Sequence, residues 1–560
     1  MLVRADAIET LGRERFDVVV IGGGITGAGV ALDAASRGYS VALVEKADFA
    51  SGTSSRSSKL VHGGLRYLQS FDLGLVREAL LERQLLVKLA PHLVTPLQLV
   101  VPAFDGARPD RLVGIGLNMY DVMATRGLRG RRSARRSERA VGEAPDSDWS
   151  PARHRVISGQ EVSELLPALS ARKPTGGYLF YDCQTDDARL VLTVLGEAER
   201  FGAICANRLE VTELGRDDGH GSAVTVRDAE SGNQLTIQCD NVVNATGVWA
   251  DRIRPEELHS EAELPRIAPS RGTHVTIADC DLPLRAGAVV PAGEGRTIFA
   301  LPWLGRSLIG TTDNNYEGDV DHVRPSAEDI EYLLQATNSF FGTQLGAGAV
   351  TGAYAGVRPL ISTGDTRKSV DISRKAELYE TSSGLITITG GKLTTWRPMA
   401  KLAVDRLVER DGRHAPCRTH EIPLGQPVDP AGLTRVPGVE AGSYVALADR
   451  YGHAAEKVLQ SAAEHGELAR PILAGLPDLL AEARFSARHE QARSVGDVLL
   501  RRTRLGLLAA RELCAGGSQA PGRVARAIGA ELGWDEPRVA DELERFRREV
   551  EAEGIAPEVQ

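Results

Sequence analysis

The chain has 560 residues, 42% of them hydrophobic and 25% charged, with a formal net charge of −9. That length exceeds one simple core and implies roughly two to four domains of ordinary soluble composition. The acidic balance argues against nucleic acid as a main partner. Six scattered cysteines, without C-x-x-C pairs or matching histidine spacing, point to reduced thiols in a cytosolic protein and to no structural metal.

Charged residues from Asp6 to Asp17 precede the first apolar run, so no signal-peptide core is expected. The run itself opens "FDVVVIGGGITGAGVALDAASRGYSVALVEK", residues 16–46. Its grammar is strand, tight turn, helix, strand. Gly22, Gly24 and Gly27 fit G-x-G-x-x-G: a sharp turn, a backbone approach to pyrophosphate, and a helix lying close on the sheet. The helix starting near Ile25 offers its N-terminal N–H groups to phosphate. Glu45, about 20 residues on, ends the second strand where ribose hydroxyls are bound. With 59 glycines in the chain such a pattern arises easily, but here strand, helix and acid all accompany it. Pattern alone does not choose between NAD and FAD. The apolar stretch from Val18 to Ala35 approaches membrane-span length, yet its glycines and Asp33 assign it to the nucleotide fold.

Further along, Leu73, Val76, Leu80 and Val87 predict a helix over residues 72–90, stopped by Pro91. Residues 126–139, "RGLRGRRSARRSER", carry seven arginines, read as a solvated loop with a patch for anionic lipid or phosphorylated substrate as the alternative. "DNVVNATGVWAD" reads as a buried strand running into Ala245, Thr246 and Gly247. Residues 266–357 alternate apolar and polar with turn glycines, predicting an antiparallel sheet. "LITITGGKLTTWRPMAKLAVDRL" repeats the opening grammar. After a Pro-rich linker at residues 423–437 the pattern turns helical and charged, clearest in "ARFSARHEQARSVGDVLLRRTRLGLLA".

The ordered set "VIGGGITGAGVALDAASRG", "TSSRSSKLVHGGLRYL", "DDARLVL", "NATGVWAD", "IGTTD", "GVRPL", "GGKLTTWR" and "DVLLRRTRLGL" resembles the FAD-dependent, quinone-linked glycerol-3-phosphate dehydrogenases of the glycine oxidase and D-amino-acid oxidase class. The resemblance covers nearly the whole chain, departing at the Arg-rich insertion and between Glu256 and Glu263. It implies an α/β fold: an FAD-binding Rossmann-like domain of the glutathione reductase / D-amino-acid oxidase type, interleaved with an antiparallel-sheet substrate domain and followed by a C-terminal α-helical domain. The expected segments are 15–100, 186–265 and 355–415 for the first, 101–185 and 266–354 for the second, and 438–560 for the third. Two glycine turns, near Gly22 and Gly390, suit a long cofactor gripped at both ends.

By the same resemblance Ser57, Ser58, Lys59 and His62 line the flavin and ribityl side, Thr246 and Gly247 join them, and Gly391, Lys392, Leu393 and Thr394 cap the ring's pyrimidine edge. A helix N-terminus after Gly391 would favour negative charge there. Glycerol 3-phosphate is a dianion and needs fixed cations. Arg66, Arg358, Arg374 and Lys392 match the family's substrate pocket, with Tyr67 and Thr311 as neutral donors. The implied reaction moves hydride from C2 to flavin N5 and yields dihydroxyacetone phosphate. Arginine is a poor base, so Arg358 orients and polarises the C2 oxygen, while His62 and His274 are the candidate bases. Electrons pass to a quinone, which places the enzyme in the cytoplasm, peripheral to the inner leaflet of the membrane. A homodimer stays open. The rivals are an oxidase using oxygen, a flavin-bearing sensor without turnover, and an amine or amino-acid oxidase.

Overall fold

The computed structural model describes residues 3–65, 72–106, 109–125, 151–216, 221–255, 258–293, 295–362 and 375–556. The run of valines in Arg15–Ile21 forms the strand around which the first sheet is built. It pairs in parallel with Val41–Val44 on one side and Gln234–Asn244 on the other. Ile204–Ala206 and Ile386–Gly390 extend the parallel core outward, and Ala376–Glu380 closes one edge antiparallel. Parallel strands need cover on both faces. On one face lies the helix Ile25–Ser36, whose alanines are buried together with Val30 and Leu32. It packs against the helices Asp187–Arg200 and Trp396–Arg410. A Cβ on Gly29 would stand 2.5 Å from the Trp396 ring, so these helices touch at backbone distance.

Among the described residues the second sheet has ten strands. One side of it is the long antiparallel pair Ile267–Ala278 and Val350–Ile361, with Arg306–Gly310 on the other edge of Ile267–Ala278. The expected antiparallel pattern has one exception: Gly287–Pro291 runs parallel to Thr95–Ala103. Both Thr95–Ala103 and Val350–Ile361 are continuous strands of this sheet. The segment breaks expected at 100 and 354 therefore fall inside hydrogen-bonded ladders, and the chain crosses between sheets on either side of them.

The helix expected over 72–90 spans Leu73–Leu89, with Asp72 accepting from Leu75 N–H at 3.3 Å and Pro91 just beyond its end. From Ala441–Tyr451 onward the chain is helical around its own apolar core. The stretch "ARFSARHEQARSVGDVLLRRTRLGLLA" is not one helix. Leu480–His489 stops, Asp497–Arg502 winds as a π-turn, and Leu505–Leu508 follows. Among the described residues, no helix is long and apolar enough to cross a membrane.

Candidate active site

Gly22 leaves the first strand at φ +109°, a region side chains rarely occupy, and a Cβ there would meet Ala245 O at 2.8 Å. A Cβ on Gly27 would lie 1.8 Å from Gly22 O, so the Ile25–Ser36 helix sits directly on the turn. Ser54 Oγ accepts the Ile25 N–H at 2.9 Å. Glu45 accepts from Gly23 N–H at 2.7 Å and from Ala47 N–H at 2.8 Å. Burial raises its pKa, and those two backbone donors oppose the shift. A carboxylate has about four acceptor positions, so capacity remains for hydroxyls.

From this turn a cavity of about 410 Å³ runs past Ser57 and Thr246 to Gly391 and Lys392. Thr246 is fixed by its hydroxyl donating to Asn244 Oδ1 at 2.7 Å. Trp249 lines the same wall, with Lys46 Nζ 4.4 Å from its ring centroid. At the far end the Ile386–Gly390 strand turns through Gly391 and a short 3-10 turn, Leu393–Thr395, before the Trp396–Arg410 helix begins. Thr394 Oγ1 bonds both His62 N–H, at 3.1 Å, and His62 O, at 3.3 Å, which joins two segments far apart in sequence.

The serine turn before His62 is folded around one carboxylate. Asp187 opens the Asp187–Arg200 helix and is completely buried. Its Oδ2 accepts from Ser57 N–H at 3.0 Å and Ser57 Oγ at 2.7 Å. Lys59 Nζ donates to both of its oxygens and to Ser55 O at 2.6 Å. Burial alone would raise the Asp187 carboxyl, but Lys59 and then Arg504 outweigh it and hold it below the usual range. Burial, followed by the Arg504 cation, pulls Lys59 from 10.5 down to about 7 against the attraction of Asp187.

Facing this turn is the ladder of Ile267–Ala278 with Val350–Ile361. The pairs Ser270 with Arg358, Gly272 with Gly356, and His274 with Tyr354 recur at a spacing of two, hence on one face. His274 Nε2 meets Ser58 Oγ at 2.9 Å and its ring stacks on Tyr354 with centroids 4.8 Å apart. Tyr354 OH in turn donates to Ser57 O at 2.8 Å. Burial, then Lys59 and Arg358, push the His274 pKa well below 6.5, so its imidazole is neutral near pH 7. Arg358 Nη1 reaches Asp313 at 3.3 Å and Ser270 Oγ at 3.4 Å, while Nη2 donates to Thr311 Oγ1 at 3.2 Å and Thr312 O at 3.1 Å. A side chain on Gly272 would press to 2.5 Å from Thr311 Oγ1 and 2.6 Å from Arg358 Nη2. The glycine makes the space those two groups share.

A dinucleotide cradle on a parallel sheet, opening toward fixed polar groups on an antiparallel one, agrees with the known proteins this chain is similar to. The family described as "FAD dependent oxidoreductase" matches residues 17–406, and "C-terminal domain of alpha-glycerophosphate oxidase" matches residues 417–539. Glycerol-3-phosphate dehydrogenase 2 of Mycobacterium tuberculosis is 36% identical over 99% of this chain and 91% of its own length. The aerobic glycerol-3-phosphate dehydrogenase of Bacillus subtilis is 34% identical over 90% of this chain and 89% of its own. The crystal structure of the Bacillus halodurans glycerol-3-phosphate dehydrogenase complexed with FAD superposes with a TM-score of 0.76 at 29% identity, covering 100% of this chain and 99% of that one.

The chain belongs to the FAD-dependent glycerol-3-phosphate dehydrogenase family. Its cofactor is FAD. The residues fit that group: a Cβ-free cradle at Gly22 and Gly27, a carboxylate at Glu45, and one continuous cavity reaching a second glycine turn.

Of the residues the sequence assigned to the cofactor, Gly22, Gly24, Glu45, Ser57, Thr246, Gly247, Gly391, Lys392 and Leu393 line that cavity. Gly27, Ser58, Lys59, His62 and Thr394 are not in its wall. Lys59 is the clearest correction, because its ammonium is turned into the buried bond with Asp187. Thr311 and Arg358 are brought together as expected neighbours. Arg66, Tyr67 and Arg374 lie outside the described residues, as do residues 126–139. Sequence reasoning assigned no role to Asp187, Arg504, Asp313 or Tyr354, although "DDARLVL" and "DVLLRRTRLGL" had both stood out as motifs.

Proposed function

We propose that this chain oxidises sn-glycerol 3-phosphate to dihydroxyacetone phosphate and passes the electrons to a quinone. The observation that carries the reading is the Arg358–Thr311 pair, fixed on the same strand face as His274 and opposite the serine turn of the FAD cavity. FAD, when bound, supplies the two-electron acceptor. The chain's own residues supply the rest. Arg358, gripped by Asp313 and Ser270 on one nitrogen and by Thr311 and Thr312 on the other, is a permanent cation that cannot wander. It orients and polarises the C2 oxygen without acting as a base. The hydroxyl proton goes to a neutral imidazole, with His274 and His62 the two candidates. Lys392 in the cavity wall meets the phosphate, together with Arg66, Arg374 and Tyr67, on the strength of the family resemblance.

A quinone is lipid-soluble, so its reduction needs a membrane surface. The Arg111–Thr125 helix turns Leu112, Ile115, Met119 and Val122 to solvent, Leu112 being 76% exposed, and the seven arginines of residues 126–139 follow it in the chain. Exposed apolar side chains next to a basic run favour docking on anionic lipid. The other reading of the acceptor, oxygen, draws on the oxidase name carried by the C-terminal family match. Anaerobic addition of glycerol 3-phosphate to the yellow holoenzyme tests the substrate: the colour should bleach, whereas glycerol and D-amino acids should leave it. Persistent colour would leave a flavin-bearing sensor. Reduction of a quinone analogue without peroxide then supports the acceptor, and stoichiometric peroxide transfers the reading to an oxidase.

A further inference from the structure

The C-terminal domain meets the FAD-binding part of the chain through buried ions. Arg501 and Arg502 converge on Asp48, and Asp497 receives Arg208. Those pairs hold one domain against the other. Arg504 does something different. It is fully buried, and its Nη2 donates to Asp187 Oδ1 and to Ser55 O at 2.9 Å, the same two acceptors that Lys59 uses. Arg504 and Lys59 both adopt left-handed backbones, with φ +66° and +60°, a conformation side-chain-bearing residues take rarely and mostly where the surroundings impose it. Two unfavourable backbone turns, one from each domain, thus deliver two cations to one carboxylate.

The backbone just after Arg504 is anchored on the other sheet. Thr276 Oγ1 donates to Leu507 O at 2.6 Å and Arg306 Nε to Leu508 O at 3.0 Å. Gly352 admits the Leu507 carbonyl at a point where a Cβ would stand 2.2 Å from it. Thr276 lies two residues from His274 on the same strand, and Gly352 two from Tyr354 on its partner. Arg504 therefore spans from the sheet that carries His274 and Arg358 to the turn that carries Ser57 and Ser58.

We propose that Arg504 is a positioning residue for the turn of Ser57 and Ser58, whose Ser57 lines the cofactor cavity, acting through Asp187 and Ser55, so that the C-terminal domain sets how the cofactor cavity faces the His274–Arg358 strand. The kinetic part of this inference rests on the substrate reading above; the spectroscopic part rests on FAD alone. Removing Arg504 leaves Asp187 paired with Lys59, while the slightly exposed Asp186, 3.4 Å from Arg504 Nε, loses that partner.

The test compares wild-type holoenzyme with Arg504→Ala, Arg504→Lys and Arg523→Ala. Arg523 donates to Ile472 O and Pro471 O inside the C-terminal domain and does not touch the turn, so its variant reports loss of domain stability alone. Arg504→Ala should keep its FAD, change the flavin's visible circular dichroism, and lower kcat on the order of 10- to 100-fold with little change in KM. Added guanidinium ion should restore part of that loss, and Arg504→Lys should fall between. Arg523→Ala should leave kcat and the flavin spectrum as in wild type.

Wild-type kcat and circular dichroism in Arg504→Ala would overturn the proposal, as would a loss that Arg523→Ala reproduces or that guanidinium leaves untouched. Should Arg504→Ala yield no folded protein, Arg504→Lys decides by the same spectrum and kcat. Should wild type itself fail to bleach with glycerol 3-phosphate, the substrate reading falls, and the flavin spectrum of the variants still decides the role of Arg504.

Discussion

The two ends of the cofactor cavity are built on different physics. At the nucleotide end the wall is backbone: a left-handed glycine, a helix laid on a turn, and Glu45 held by two peptide N–H groups. At the end we assign to the flavin ring the surroundings are held by ions and rings, with Asp187 between Lys59 and Arg504, and His274 stacked on Tyr354. The first arrangement tolerates no added atoms, because close-packed backbone cannot move aside. The second tolerates shape changes but not lost charge, because a buried ion without its partner carries an uncompensated desolvation cost. Each end should therefore fail under a different kind of substitution.

The sharpest break is at Gly27. A Cβ 1.8 Å from Gly22 O cannot be accommodated by a rotamer change. Gly27→Ala should cost at least about 3 kcal/mol, the upper range for overpacking, and abolish FAD retention. Thermal unfolding and the flavin absorbance of the purified variant report both. Asp187→Asn should come next. It removes the anion shared by two buried cations and should cost about 3–5 kcal/mol, with nucleotide-end binding of FAD weakened far less than by Gly27→Ala. A smaller destabilisation from Asp187→Asn than from a surface pair would remove the distinction between the two ends.

Arg358→Lys sharpens the comparison on the catalytic side. Lysine keeps the charge but loses the fork that reaches Asp313 and Thr311 together. FAD content should stay as in wild type while kcat/KM for glycerol 3-phosphate drops on the order of 100-fold. Unchanged kcat/KM would take Arg358 out of the reaction.

A pH series separates the ring end further. The folded pKa of Lys59 is about 7, below its ordinary 10.5, so the unfolded chain binds more protons between those values. Stability from this group therefore rises as pH rises through that window. Lys59→Met lacks the contribution. The stability of wild type relative to Lys59→Met should increase with pH above about 7, approaching about 1.4 kcal/mol per pH unit, as read by urea unfolding. A flat difference would mean that Lys59 stays charged in its pocket.

The same contrast explains what could be read from the sequence. The nucleotide end is local: Gly22, Gly24, Gly27 and Glu45 lie within one strand–helix–strand unit, so spacing alone discloses them. The ring end is assembled from afar. Lys59 and Asp187 are 128 residues apart, and Asp187 and Arg504 are 317 apart. No periodicity marks such pairs. "DVLLRRTRLGL" looks like a charged surface helix by composition, yet Arg501, Arg502 and Arg504 are all buried. The family resemblance placed Lys59 at the flavin together with Ser57 and Ser58, but its left-handed backbone turns the ammonium inward to Asp187. The sheet boundaries missed at 100 and 354 have a similar cause, since alternation marks a strand without saying which sheet it joins.

The smallest expected effect returns to the nucleotide end, at a partly exposed charge pair on the cavity rim. Lys46 bonds Asp321 and lies over the Trp249 ring, with side chains 36% and 41% exposed for the ion pair. If that end is held by backbone, then removing this cation should matter little, for water screens a half-exposed pair and the cation–π contact adds only a fraction of the whole. Lys46→Ala should shift the unfolding free energy by less than about 1 kcal/mol, and the difference should shrink further in high salt. FAD should remain bound through purification. Loss of the cofactor from Lys46→Ala, measured as the flavin-to-protein absorbance ratio, would mean that side-chain charge grips the nucleotide as well, and the division of labour between the two ends would have to be redrawn.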